Sequence, residues 1–417
     1  MQLTNKPNAI RHNLALATAS LLGAVTHSGQ AATADDWEID TSILYYSEDA
    51  RVTAIEPVIR ARKEIDDDEY MTYRLVVDSL TGASANGAIP TSSPQTFTSP
   101  SGDSTYTTPA GETPLDPTFH DTRVALNAEW EKPLDRNLDG IFSVNASSEF
   151  DYTSLGISAT LTRDFNNRNT TLAAGFSYNF DTVEPVGGIP EGLTAMPSTT
   201  AIEKNTLVGS DDKTVADLLI GITQVIDRKT LMQFNYTHGV DDGYLTDPYK
   251  ILSVVDGPDS DTLRGTDPYL YESRPDSRSR NALYWKTVHA FNEDVINFSY
   301  RYYWDDWGIT SHTLDAQYRY EMDGGQYLMP HARYYLQDKA DFYNYKLIDG
   351  DIPQYASADY RLADLSTTTL GLKYGIKLTN ESEFSVRTEL MKQQSEGDAP
   401  FPDVDAIILQ LNYSLLF

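Results

Sequence analysis

Not one of the 417 residues is cysteine. That absence removes disulfide staples, thiolate metal sites and cysteine nucleophiles together. Long apolar runs are missing too: no stretch approaches the roughly 18 consecutive apolar residues of a membrane-spanning helix. Basic residues are scarce, 32 Lys and Arg against 61 Asp and Glu, for a net charge of −29. Such a chain has no electrostatic footing for nucleic acid, whose phosphates are met by Lys and Arg. No stretch reads as an amphipathic helix longer than about ten residues. Serine is plentiful, but none sits in a nucleophile motif.

What is present begins with a leader. Lys6 and Arg11 precede a short apolar core from Leu14 to Val25, and Gly29, Gln30 and Ala31 supply small residues for cleavage. Residues 1–31 are read as a signal peptide and 32–417 as one exported domain. The leader holds both of its charges as cations, so the exported part is more acidic still. Mean hydropathy of −0.42 looks soluble, yet a β-barrel with a polar lumen averages to the same value. A chain of this length would also make two or three soluble domains, so composition alone leaves both open.

The end of the chain separates them. From Ile407 to Phe417 every odd position is apolar or aromatic, while Gln410, Asn412 and Ser414 hold even positions. Period two is a strand with one apolar face. A soluble sheet seldom ends this way, because a terminal strand frays and a bare apolar edge aggregates. A membrane barrel closes its last strand on its first. Tyr413, Leu415 and Phe417 resemble the C-terminal assembly signal of outer-membrane barrels.

Alternation marks about sixteen strands: 37–46, 52–62, 70–79, 121–130, 141–151, 154–163, 170–180, 214–225, 230–238, 282–291, 295–303, 312–320, 326–336, 367–378, 383–392 and 406–417. One miscounted hairpin would make fourteen or eighteen. Loop lengths give an independent test. Every even connection (63–69, 131–140, 164–169, 227–229, 292–294, 322–325, 379–382) is compact. All the long ones (80–120, 181–213, 239–281, 338–366) are odd. Short periplasmic turns and long extracellular loops sort this way. The expected fold is therefore all-β, a transmembrane antiparallel barrel in the Gram-negative outer membrane. Segment 80–120, rich in Gly, Ser, Thr and Pro, is expected to be partly disordered. Segment 239–281, with its turn-forming residues, is expected to be ordered and folded over or into the lumen.

With apolar faces outward, the lumen receives Arg60, Arg62, Arg74, Arg123, Arg301, Arg319 and Arg387, with Glu149 and Asp151 among the facing carboxylates. Two arrangements fit: paired charges bracing a plugged barrel, or basic and acidic walls making a transverse field at a constriction. His238, near Asp241 and Asp242, is a candidate for a rim His–Asp pair, though a rim histidine beside acidic loops is commoner. Residues 135–140 match the first half of a calcium loop, but Ala146 stands where the bidentate Glu belongs, and Asp, Asn and Gly suit a turn equally. No catalytic residue, metal ligand or cofactor site is therefore assigned. The acidic loops leave room for weak divalent-cation binding.

Five stretches resemble a bacterial outer-membrane family described as domain of unknown function 3570. They are Val77-Asp78-Ser79-Leu80-Thr81-Gly82-Ala83-Ser84, Ser148-Glu149-Phe150-Asp151-Tyr152, Asn169-Thr170-Thr171-Leu172, Gly243-Tyr244-Leu245-Thr246-Asp247-Pro248-Tyr249-Lys250 and Ser273-Arg274-Pro275-Asp276-Ser277-Arg278. The resemblance implies a β-barrel whose genes often neighbour a periplasmic flavin-attaching enzyme and a small lipoprotein. It implies no catalytic residues.

The expected function is a porin-like channel or transporter for small solutes. An envelope accessory barrel that docks or helps secrete a partner, flavin-linked in the family's setting, is the alternative, and an enzyme is not expected. Expected partners are outer-membrane lipid and lipopolysaccharide, the barrel-assembly machinery, small solutes and an envelope protein, but no nucleic acid. Acidic loops at the mouth argue for a modest cation preference that salt erodes. Deleting Phe417 is expected to cripple assembly, read as loss of the heat-modifiable folded band from outer-membrane fractions. Undiminished assembly would return the terminal strand to the soluble reading.

Overall fold

The computed structural model describes residues 37–99, 105–196, 209–379, 381–396 and 401–416. The leader and Phe417 lie outside them. Sixteen antiparallel strands close into a single barrel. In chain order the first eight are β1 (Trp37–Glu48), β2 (Val52–Asp66), β3 (Glu69–Ala85), β4 (Leu115–Asp135), β5 (Leu138–Ser148), β6 (Tyr152–Phe165), β7 (Thr170–Val183) and β8 (Asp211–Val225). The second eight are β9 (Thr230–Gly243), β10 (Ser277–Phe291), β11 (Asp294–Asp305), β12 (Thr310–Met322), β13 (Gln326–Gln337), β14 (Leu365–Lys377), β15 (Ser382–Ser395) and β16 (Val404–Leu416). β16 pairs with β1 from Leu416 opposite Glu38 to Ala406 opposite Glu48, so no edge is left open.

The wall is inverted relative to a soluble protein. Leu126, Val144, Leu155, Ile220, Leu370 and Leu390 are all exposed on its outside. In water such a belt would aggregate; in hydrocarbon it is the solvated face. Aromatic pairs gather towards both ends, Trp130 with Phe142 at one and Tyr302 with Trp304 at the other, as interfacial girdles do.

The short turns are built by residues that tolerate left-handed backbone. Asp68 has φ 58°, Asn292 φ 51°, and Asn166, Asn167 and Arg168 take φ 51°, 56° and 67° in succession. Asn and Asp reach this region more readily than most side chains. Asp135 and Leu138 face each other across a two-residue turn, so the calcium-loop resemblance of 135–140 resolves into a hairpin. Among the described residues no three His, Asp or Glu groups gather to hold a metal.

At the other end the strands outrun their expected limits. β4 extends from Leu115 to Asp135 rather than 121–130, because beyond the membrane both faces turn polar and the alternation that marks a strand fades. β5 ends at Ser148, which corrects the placement of Glu149 and Asp151: they sit in the connection above the strand. The described part of 80–120 is ordered. Its Thr-rich hairpin, Gln95–Thr98 with Thr105–Thr108, packs Phe97 against Tyr106 and Tyr269, a use for β-branched residues that polarity alone conceals.

Because Ile220 faces lipid near mid-strand, Ile220→Arg is expected to cost about 2–4 kcal/mol. Reversible urea unfolding into lipid vesicles measures this, and a loss below about 0.5 kcal/mol would place β8 off the lipid face.

Candidate functional site: the lumen wall and its cap

The inward phase of the first strands carries a braced charge lattice. Arg60 lies 2.7 Å from Asp40 and 3.8 Å from Glu38. Arg62 reaches Glu131 at 3.0 Å and stacks 3.8 Å from the Tyr70 ring centre. Arg123 Nε donates to Asp78 at 2.6 Å and stands 3.9 Å from Glu149. Arg74 faces Arg60 in register across β2 and β3. Burial and the neighbouring Asp121 carboxylate push Glu149 up to about 7. Asp151, also raised chiefly by burial, accepts from Tyr249 Oη.

The opposite wall is less evenly paired. Arg319 meets Glu321 at 2.5 Å and stacks on Tyr327, and Arg387 lies 3.4 Å from Glu389. His331 bridges Asp315 and Glu389, at 2.8 Å to each. Arg301 is different: it points inward, is exposed, and has no ion pair among the described residues. Arg333 shares all three properties, and Lys286, half-buried, also lacks an ion pair there. The sequence reading missed Arg333 and Lys286. Their strands put aromatics on both faces (Tyr284 beside Trp285, Tyr334 beside Tyr335), which blurs the phase; extending strict alternation from Leu283 would have found Lys286.

His238 and Asp241 do not meet. His238 shares the outward phase of Phe234 and Tyr236 and contacts Asn281 at 3.0 Å, whereas Asp241 points inward to Arg280 at 2.6 Å. Period two separates odd from even positions to opposite faces. Tyr413 faces outward and is exposed.

Above the wall, the long loops fold into one packed cap. Ile251–Val255 pairs antiparallel with Tyr269–Tyr271 and parallel with Leu347–Ile348, joining the β9–β10 and β13–β14 loops. Leu252, Val254, Leu270 and Ala356 are buried in its core. Lys250 Nζ donates to the Ala85 carbonyl. Those residues belong to connections six strands apart on a ring of sixteen, so their contact requires the loops to cross the mouth. This is the fold-over expected for 239–281, with 244–276 as the crossing part. Gly82 makes a tight approach possible: at φ 121° a Cβ there would collide with the Arg51 carbonyl oxygen.

Buried charges hold the cap. Arg274 Nε lies 2.6 Å from Glu272 and its Nη2 3.0 Å from Asp359. Arg361 joins Asp359 at 2.6 Å and Asp247 at 3.3 Å. The Asp247 amide and the Ser357 hydroxyl donate to the two Glu272 oxygens. Burial drives Glu272 upward against the pull of Arg274. Burial acts on Asp359 too, but the charges of Arg361, Lys250 and Arg274 outweigh it and hold that carboxyl well below the usual range. Four of the five family-like stretches contribute here or just beneath: Asp78 to the Arg123 lattice, Asp151 to Tyr249, Lys250 to Ala85, and Arg274 to Glu272 and Asp359.

A closed sixteen-strand wall with an apolar exterior and a charged interior defines a transmembrane β-barrel of the outer-membrane type. The chain belongs to the family described as "Protein of unknown function (DUF3570)", which matches residues 11–415. Among curated proteins none matches it. It is similar in structure to a bacterial polysaccharide outer membrane secretin, at 8% identity and TM-score 0.45, covering 92% of this chain and 99% of that one. CdiB from Acinetobacter baumannii gives 8% identity and 0.46, over 93% and 61%. OccK2 (OpdF) from Pseudomonas aeruginosa gives 9% and 0.41, over 93% and 100%. None is similar enough to lend its function.

Arg274→Ala is expected to leave the buried Glu272 without its cation, Asp359 keeping Arg361, and to cost the cap about 3–5 kcal/mol. Limited proteolysis of intact cells should then cut within 244–276, where the wild type resists. Asp359 is a depressed carboxyl, so its contribution is complete above the unfolded value of about 4 and is lost as pH falls below it. Wild-type protection should accordingly persist at about pH 5. Loss of protection there in Glu272→Gln as well, where the raised carboxyl of Glu272 is gone, would remove Asp359 from the clasp.

Proposed function

We propose that the protein is a small-solute channel of the outer membrane, water-filled at mid-depth and gated at its outer end by the cap. One observation carries the reading. Arg301 and Arg333 face inward near the middle of β11 and β13, yet are exposed and without ion pairs among the described residues. A charge held away from both water and partner is prohibitively costly, so these guanidiniums require a hydrated lumen at that level. A barrel of sixteen strands is wide enough for one. A solid, fully braced barrel serving only as an envelope scaffold would have no need of hydrated charge at its waist.

The cap sets when the path is open. Its hydrophobic core and its buried Glu272–Arg274–Asp359 clasp favour closure, and displacing them opens the outer mouth. The acidic outer loops and the basic waist exert opposing influences on ions, the first at the mouth and the second inside.

Planar-bilayer recording of the purified barrel in asymmetric potassium chloride tests the reading. Wild type should conduct in brief openings, and Arg274→Ala should raise the open fraction severalfold. Silence from both proteins would sink the channel and leave the docking or secretion accessory as the better account.

A further inference from the structure

Three of the lumen cations without an ion pair among the described residues, Lys286, Arg301 and Arg333, lie close together on the wall. Tyr284, Arg301, Thr313 and Tyr335 stand in one cross-strand row through β10 to β13. Lys286, Ser299, Asp315 and Arg333 form the adjacent inward row. Lys286 and Arg301 are diagonal neighbours on adjacent strands, about 7–8 Å apart between Cα atoms, and Arg333 stands one strand further on, across β12, where long side chains still converge. Arg301 lies over the Tyr303 ring at 5.7 Å.

Among the described residues none of the three cations makes an ion pair, although Asp315 stands opposite Arg333 and its charge reaches Lys286; the neighbouring carboxylates have other partners. Asp315 is bound by His331 at 2.8 Å, Asp305 by Arg278 Nε at 2.8 Å, and Asp241 by Arg280 at 2.6 Å. Arg301 and Arg333 are exposed on the lumen face and Lys286 is half-buried beside them, with tyrosine rings on either side of the row. The guanidinium fork suits a planar oxyanion bidentately, and the flanking rings offer apolar surface to the body that carries it.

We propose that Arg301, Arg333 and Lys286, flanked by Tyr284, Tyr303 and Tyr335, form a binding site for a small organic carboxylate at the waist of the lumen. The proposal rests on the channel reading, since it names that channel's solute class. The two guanidiniums grip the carboxylate, Lys286 adds attraction from the neighbouring row, and the tyrosines select an apolar or aromatic body over a bare ion. Arg319, paired with Glu321 and covered by Tyr327, lies outside the site.

Equilibrium dialysis of the purified, detergent-held barrel against radiolabelled benzoate, with inorganic phosphate as the comparison, tests the site without any current. Wild type should bind benzoate saturably and more tightly than phosphate. Arg301→Gln combined with Arg333→Gln should weaken benzoate binding by about tenfold or more, while Arg319→Gln should not. Heat-modifiable migration reports folding of each variant. Should the double variant misfold, Arg301→Lys, which keeps the charge and loses the fork, must still weaken benzoate binding. Absent wild-type binding, undiminished binding in the double variant, or tighter binding of phosphate would each overturn the proposal. A barrel that conducts without binding benzoate overturns the site alone. One that binds without conducting overturns the channel reading alone.

Discussion

The structure depends on one constraint: inside hydrocarbon every backbone N–H and C=O must find a partner within the protein. An open sheet fails at its edges, and the pairing of β16 with β1 along eleven residue positions removes them. The other features of the wall follow. A sheet closed on itself has a lipid face and a lumen face, and the two-residue period assigns side chains between them with no further choice. Ile43 and Tyr45 go out, and Asp40 and Leu44 go in, because the strand cannot do otherwise.

Once the lumen face is polar, its charges must be satisfied laterally. Cross-strand register puts Asp40 opposite Arg60 and Asp78 opposite Arg123, so pairing in β1 to β4 comes directly from the ladder. These pairs keep a wide barrel from becoming a sink for buried, unpartnered charge. The same ladder on β10 to β13 sets Arg301 against Tyr284 and Thr313 instead. Neither can neutralise it. The two stretches of wall thus obey one geometry and end in different electrostatic states, ion-paired along β1 to β4 and without an ion pair at Arg301 among the described residues.

The wall was largely legible in the sequence because its physics is local and periodic. Leu370, Leu372 and Tyr374 alternating with Gly371 and Lys373 describe β14 without reference to anything distant. Where locality fails, so does the reading. The long-loop ends of β3, β4 and β9 leave the apolar layer, and the period weakens with it. The cap is harder still. Glu272 and Asp359 share one arginine across 87 positions, and no window of sequence contains that fact. The family-like stretches 243–250 and 273–278 marked the right segments, but only the fold shows that they grip each other. Arg333 and Lys286 escaped for the opposite reason, too many aromatics nearby to reveal the phase.

The two ends of the barrel differ in a way that bears on gating. At the short-turn end the connections span two to four residues, and at about 3.3 Å per residue none can reach across the lumen. At the other end the loops do cross, and they pack as a small core of their own. On the proposed channel reading, such a cap sets how often the path opens, not the direction of net flow, since a passive barrel held at equal potentials can only follow the solute gradient. Within the clasp Asp359 and Glu272 pull in opposite directions in mild acid, the first held low by its cations and the second pushed up by burial. Asp359 keeps its charge because three cations face it, and a carboxyl that stays ionised keeps its partners. On the proposed channel reading, a gate that rests on Asp359 answers to displacement of the packed loops more than to the pH swings that would release a histidine-held contact.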